Sequence, residues 1–182
     1  MKKLLSQKFY ENLENEVFPR FENKSNISIL RKIDWEIEAH RCLMDLTAFL
    51  GNVDIDRLKN NGIDTIGVID ICWNEYGSDI EVDFMPDNDF DAAYDEGCIM
   101  NDSAINNEDF FASHFNTNGE KAWGDIGNDY TEIILIFDYL LSDIVPAIIE
   151  QKEFAVLPKK VPCHIGFAGF HDEQRTNIFT VA

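Results

Sequence analysis

Eight carboxylates crowd the eighteen residues from Asp79 to Glu96, and no Lys, Arg or His lies among them. Grouped carboxylates can ligate a hard cation, work as an acid–base pair, or set up a field for a charged partner. The first half alternates: Asp79, Glu81 and Asp83 interleave with Ile80, Val82 and Phe84. A strand has a side-chain period of two, so the three acids should line one face and the three apolar groups the other. The second half, Asp87-Asn-Asp-Phe-Asp91, puts oxygens at positions 1, 3 and 5 of a calcium loop. The register then fails, because position 6 is Ala92 where Gly is needed and position 12 is Cys98 where Glu is needed. A looser divalent site built from Asp83, Asp87, Asp89 and Asp91 survives only as an alternative. No metal is assigned from the sequence.

The remaining chemistry is thin. Cys42, Cys72, Cys98 and Cys163 are scattered without a CxxC pair, which reads as free thiols, mostly buried, in a reducing compartment. Cys163 and His164 would point to opposite faces of a strand, so they make a poor zinc pair. With 34 acids in the chain, carboxylate pairs are inevitable and carry no information. Neither a G-x-S-x-G turn nor a phosphate-cradling glycine loop occurs, and Gly124-Asp-Ile-Gly127 is too short and acidic for phosphate. The expectation is no catalytic residue, no cofactor and no enzyme.

The elements that must position the acids follow from periodicity. Leu5, Phe9, Leu13 and Val17 predict a helix over residues 4–18, ended by Pro19. A longer helix is predicted over 28–50, with Ile33, Ile37, His40 and Met44 on its buried stripe and Glu36 placed to hold His40. A short helix over Asp54–Lys59 should close at Asn60-Asn61-Gly62. Ile63–Trp73 reads as a strand, Asn74–Ser78 as a hairpin loop and Asp79–Met85 as the antiparallel partner, stopped by Pro86. Asp87-Asn-Asp-Phe-Asp91 should begin a turn or short helix through Tyr94. Residues 97–128 look least regular. A short helix over 107–115 is expected there, followed by a loop that anchors Trp123 in a hydrophobic gap. Ile133, Phe137, Leu140, Ile144 and Ile148 mark a central helix containing Pro146, and Val161–Phe170 reads as the last strand, with Ile178–Val181 docking behind it. This order predicts a single α+β domain over residues 1–182: N-terminal helices in 1–59 and an acidic α+β core in 60–175. Its small antiparallel sheet would pack against several helices on one face.

Charge bounds the partner. The net charge is −19. Residues 1–59 carry ten acids and ten bases, whereas residues 60–151 carry 21 acids and one base, Lys121. That field repels nucleic acid and anionic membranes and attracts cations or a basic protein. Acidity for solubility alone is the competing explanation. No apolar run follows Leu5 to complete a signal peptide, and the segment Ile133–Ile149 is interrupted by Asp138, Asp143 and Pro146. A cytoplasmic protein is expected.

Three pieces together resemble a known group. They are the strand ending Ile71-Cys-Trp73 with its acidic partner, the lead Trp123-Gly-Asp-Ile-Gly-Asn-Asp-Tyr130 into a long helix, and the strand Val161–Phe170 followed by His-Asp-Glu. This layout, across residues 60–175, resembles a family of bacterial domains counted among the immunity proteins of polymorphic toxin systems. The resemblance implies a cytosolic protein that binds and neutralises a cognate toxin, with no catalytic residues. The expected contact surface is Asp79, Glu81, Asp83, Asp87, Asp89 and Asp91. The alternatives are a small metal-dependent enzyme, a divalent-cation module, or an acidic adaptor without catalysis.

Overall fold

The apolar, β-branched run Ile66–Trp73 forms β1, the central strand of a five-stranded sheet. A computed structural model describes residues 2–74, 77–88, 99–168 and 176–182, with 99–102 described by backbone alone. The other strands are β2 (Ile80–Met85), β3 (Ile99–Ile105), β4 (Lys159–Ala168) and β5 (Thr176–Val181), in the order β3-β2-β1-β4-β5. The α+β class is as expected, but the sheet is mixed. β1 pairs antiparallel with β2 and parallel with β4. The reason lies in the long helix α7 (Asp129–Ile149), which spans about 30 Å at 1.5 Å per residue. It carries the chain back, so β4 enters from the end where β1 begins, and Ile66 N–H donates to Pro158 C=O at 2.6 Å.

The helical N-terminus is more broken than its periodicity suggests. α1 (Gln7–Asn12) runs into a π turn (Leu13–Val17) and a 3₁₀ turn (Phe18–Arg20) that accommodates Pro19. The predicted 28–50 helix is two helices, α2 (Lys24–Leu30) and α3 (Trp35–Gly51). Asp34 separates them by capping α3, its carboxylate accepting from Glu36 N–H. The break rotates the buried stripe onto Trp35, Ala39, Cys42, Leu46 and Leu50. Ile37 and Met44 therefore face out, 55% and 70% exposed. His40 is only half-buried and donates through Nε2 to Lys2 C=O at 2.8 Å, while Glu36 accepts from Leu4 and Leu5 N–H instead of holding His40. α4 (Ile55–Asn60) starts at the Asp54 cap and ends at Gly62, whose φ of +85° needs glycine.

The segment expected to be irregular contains β3 and two helices, α5 (Glu108–Phe115) and α6 (Gly119–Ile126). α8 (Lys152–Ala155) follows α7. One apolar cluster joins the N-terminal helices, α7 and the sheet, so residues 1–59 share their core with the acidic part. At its centre the Trp73 ring meets those of Phe111, Tyr130 and Phe137, Phe137 meets Phe110 and Phe110 meets Trp35, while Trp73 Nε1–H donates to Tyr130 OH at 2.9 Å. The start of α7 is tied to the N-terminal chain by Asp129. Its buried carboxylate accepts from Glu22 N–H (2.7 Å), Asn23 N–H (3.1 Å) and Asn26 Nδ2 (2.8 Å). Among the described residues, no helix is long and apolar enough to cross a membrane.

Candidate functional site

The two faces of the sheet differ in kind. Residues opposite one another in a ladder share a face, so the register sorts the side chains. Ile69, Ile71 and Trp73 share the first face with Phe84, Val82 and Ile80 of β2 and with Ile165 and Phe167 of β4. Leu46, Leu50, Val145, Ile148 and Phe154 pack on it from α3, α7 and α8. The second face carries Val68, Asp70 and Cys72, opposed by Met85, Asp83 and Glu81 on one side and by His164, Gly166 and Ala168 on the other. Cys163 is buried on the first face, so the expected divergence of Cys163 and His164 holds. His164 Nδ1 is hydrogen-bonded to Thr180 Oγ1 at 3.0 Å.

The expected acidic contact surface divides. Alternation places Glu81 and Asp83 on the second face as predicted, but that face is not open. Asp83 is 5% exposed and directly opposes Asp70, which is 0% exposed. Asp79 and Glu81 are half-buried, and Glu81 accepts from Asn74 Nδ2. Asp87 is exposed. Asp89 and Asp91 lie outside the described residues, as does nearly all of the turn predicted over 87–94.

Sequence reasoning missed Asp70 and Cys72. The Cys72 thiol donates to Asp70 Oδ2 at 2.8 Å, and ligand atoms from Asp70, Cys72 and Asp83 lie within 4.8 Å of one another. Two carboxylates and a thiolate are donors of the kind that bind zinc, whereas calcium wants six to eight oxygens. The signal was available: Asp70 is an acid in the middle of an otherwise apolar strand, where burial costs most. The other described cysteines are not nucleophiles. Burial pushes the Cys42 thiol up to about 12 and the Cys163 thiol up to about 11, so both stay protonated and inert near neutrality.

A second polar assembly holds the β1–β2 hairpin against α3, α5 and α6. Arg41 on α3 donates to Glu38 (2.9 Å), Asp45 (3.4 Å), Asn106 C=O (3.0 Å) and the Asn107 side-chain oxygen (2.7 Å). Burial works against its charge, and Cys42, Glu38 and Asp45 together outweigh burial, holding its pKa above the usual value. Asn107, fully buried, donates in turn to Ser78 C=O at 2.8 Å, and Ser78 Oγ donates to Gly119 C=O at 2.6 Å. Gly119 N–H donates to Glu108 at 3.0 Å, and a Cβ on Gly119 would lie 2.6 Å from Gly77 C=O.

This assembly fixes α6, and with it Trp123. The loop expected at 121–127 is helical because Asn118 caps it, accepting from Lys121 N–H at 2.9 Å, and because Gly119 and Ala122 fit flat against the body. Trp123 consequently points outward and is 63% exposed, not anchored in a gap. No family model, curated protein or solved structure matches the chain.

Proposed function

We propose that this chain is a binding protein of immunity type, which neutralises a basic toxin domain by covering it with an acidic surface. The observation that carries the reading is the segregation of charge. Residues 60–151 hold 21 acids against one base, while residues 1–59 are balanced. Acidity serving only solubility has no need of such a division. A partner-facing field does, because concentrated like charge steers a basic partner and speeds its capture. The exposed members of the segment include Asp87, Glu108, Asp109, Glu120 and Asp125, so the contact surface moves from β2 towards α5 and α6. Cytoplasmic location belongs to the same reading, since the partner must be met before it does damage.

The test is co-expression with the product of the adjacent gene. Growth protection and a stable complex, with association that slows as salt rises, are expected. A neighbour product that is neither bound nor neutralised sinks the reading.

A second reading, a divalent-cation module on the sheet's polar face, is favoured by the Asp70–Cys72–Asp83 set. Titration calorimetry with Zn²⁺, Mg²⁺ and Ca²⁺ decides it. Stoichiometric Zn²⁺ binding that disappears in Cys72→Ser supports the module, and silence with all three ions removes it.

A further inference from the structure

Of the three tryptophans, Trp35 and Trp73 are sealed in the core and Trp123 stands in solvent. Its indole makes no hydrogen bond or ring contact among the described residues. The helix that presents it is held on its inner side by Gly119 and Ala122, so the exposure is a fixed presentation. Residues three and four apart share a helix face, which puts Glu120, Trp123 and Gly124 together on the outside of α6.

Gly124 adds an independent observation. It lies inside the helix, its φ is not positive, and a Cβ built there would meet nothing within 4 Å. Neither backbone conformation nor packing within the described chain requires glycine, and a glycine inside a helix lowers its stability. A bare position beside an exposed indole does have a use if another chain comes close there.

We infer that Trp123 and Gly124 form the docking point for an arginine-bearing segment of a basic protein partner. The inference rests on the immunity-type reading and names the element and the chemistry it would use. A guanidinium stacks on an indole face and pairs with a carboxylate in the same plane better than an ammonium does. Glu120 supplies that carboxylate one turn before the indole, and the surrounding segment supplies the field. Gly124 lets the partner's backbone reach the ring edge. Tryptophan and arginine are also the residues that most often dominate interface energetics.

The test uses the whole protein and a hexa-arginine peptide at low salt, with hexa-lysine as comparator. Binding is measured by calorimetry and by the emission of Trp123, taken as the part of the native tryptophan emission that Trp123→Ala removes and so separated from Trp35 and Trp73. Expected are tighter binding of hexa-arginine than hexa-lysine, a change in Trp123 emission that saturates with binding, and at least fivefold weaker binding in Trp123→Ala and in Gly124→Gln. Glu120→Lys should weaken binding more than Asp56→Lys, which reverses an exposed acid in the first turn of another short helix. Equal affinity of Trp123→Ala and native protein, or equal losses in Glu120→Lys and Asp56→Lys, overturns the docking point and indicates diffuse charge attraction. Co-expression separates this from the broader reading. Trp123→Ala that still protects against the neighbouring product overturns the docking point alone, while a native protein that fails to protect overturns the immunity-type reading.

Discussion

Replacing Asp129 by Ala should cost more stability than any surface substitution in this chain. The carboxylate is 2% exposed and accepts three hydrogen bonds, from Glu22 N–H, Asn23 N–H and Asn26 Nδ2. It also sits in the first turn of α7, where a negative charge meets the positive end of the helix dipole. In Asp129→Ala the buried Asn26 amide is stranded, at a cost of about 1–3 kcal/mol. The two backbone donors are only partly buried and recover water, so each loses about 1 kcal/mol. The expected loss is therefore about 3–5 kcal/mol, which for a chain of this size lowers Tm by roughly 10 °C. Asp129→Asn should recover only part of it, because its amide group turns a donor towards donors. Urea unfolding followed by circular dichroism gives the comparison, with the midpoint falling at unchanged m-value. A loss under about 1 kcal/mol would refute the argument that this carboxylate ties the N-terminal helices to α7.

Other expectations can be checked with the same assay. Gly124→Ala should raise stability by about 0.5–1 kcal/mol, since the helix gains and nothing is hit. Gly67→Ala should lower it by about 1–3 kcal/mol or more, because the new Cβ would stand 2.2 Å from Asp87 C=O and the two backbones must part. Stability should fall as pH rises from about 9 towards 12: burial raises the Cys42, Cys163 and Tyr139 pKa values in the folded protein to about 12, 11 and 12. The unfolded chain then releases those protons first, so folding loses free energy across that window. Unfolding midpoints that stay level up to pH 11 would contradict this. Of the three described cysteines, half-buried Cys72 should react first with a thiol reagent at pH 8, with Cys42 and Cys163 protected until unfolding; mass spectrometry of the labelled protein reads the order.

The parts of the fold that were legible are those where one period dominates. The β1–β2 hairpin, α4, α5 and α7 each carry a clean apolar repeat with a cap or breaker at the end. The missed parts are those where polar residues stand in regular structure. β3 contains Asn101, Asp102 and Ser103, which read as loop because an edge strand need bury little. α6 contains two glycines and three charges, and it is helical through its cap and its tertiary seat rather than its propensity. The break before α3 turns on one capping aspartate inside a pattern that otherwise runs on. The acidic site was half legible. Alternation sorted Glu81 and Asp83 onto one face, but periodicity says which residues share a face and not whether that face meets water. Asp83 is buried opposite Asp70, a pairing that needs the register of two strands to see.

The parallel seam between β1 and β4 has a consequence for how the protein is made. β1 finds β2 within a few residues, but its other neighbour begins only at Lys159. At roughly 5–20 residues per second, synthesis leaves that edge of the most apolar strand unpaired for several seconds while α5, α6 and α7 emerge. An open edge of this sort is a template for pairing with another unfinished chain. The stretch being made during the wait, residues 74–158, holds 20 acids and two bases. Like charge at that density opposes the approach of one incomplete chain to another over the same interval, whatever it meets in the finished protein.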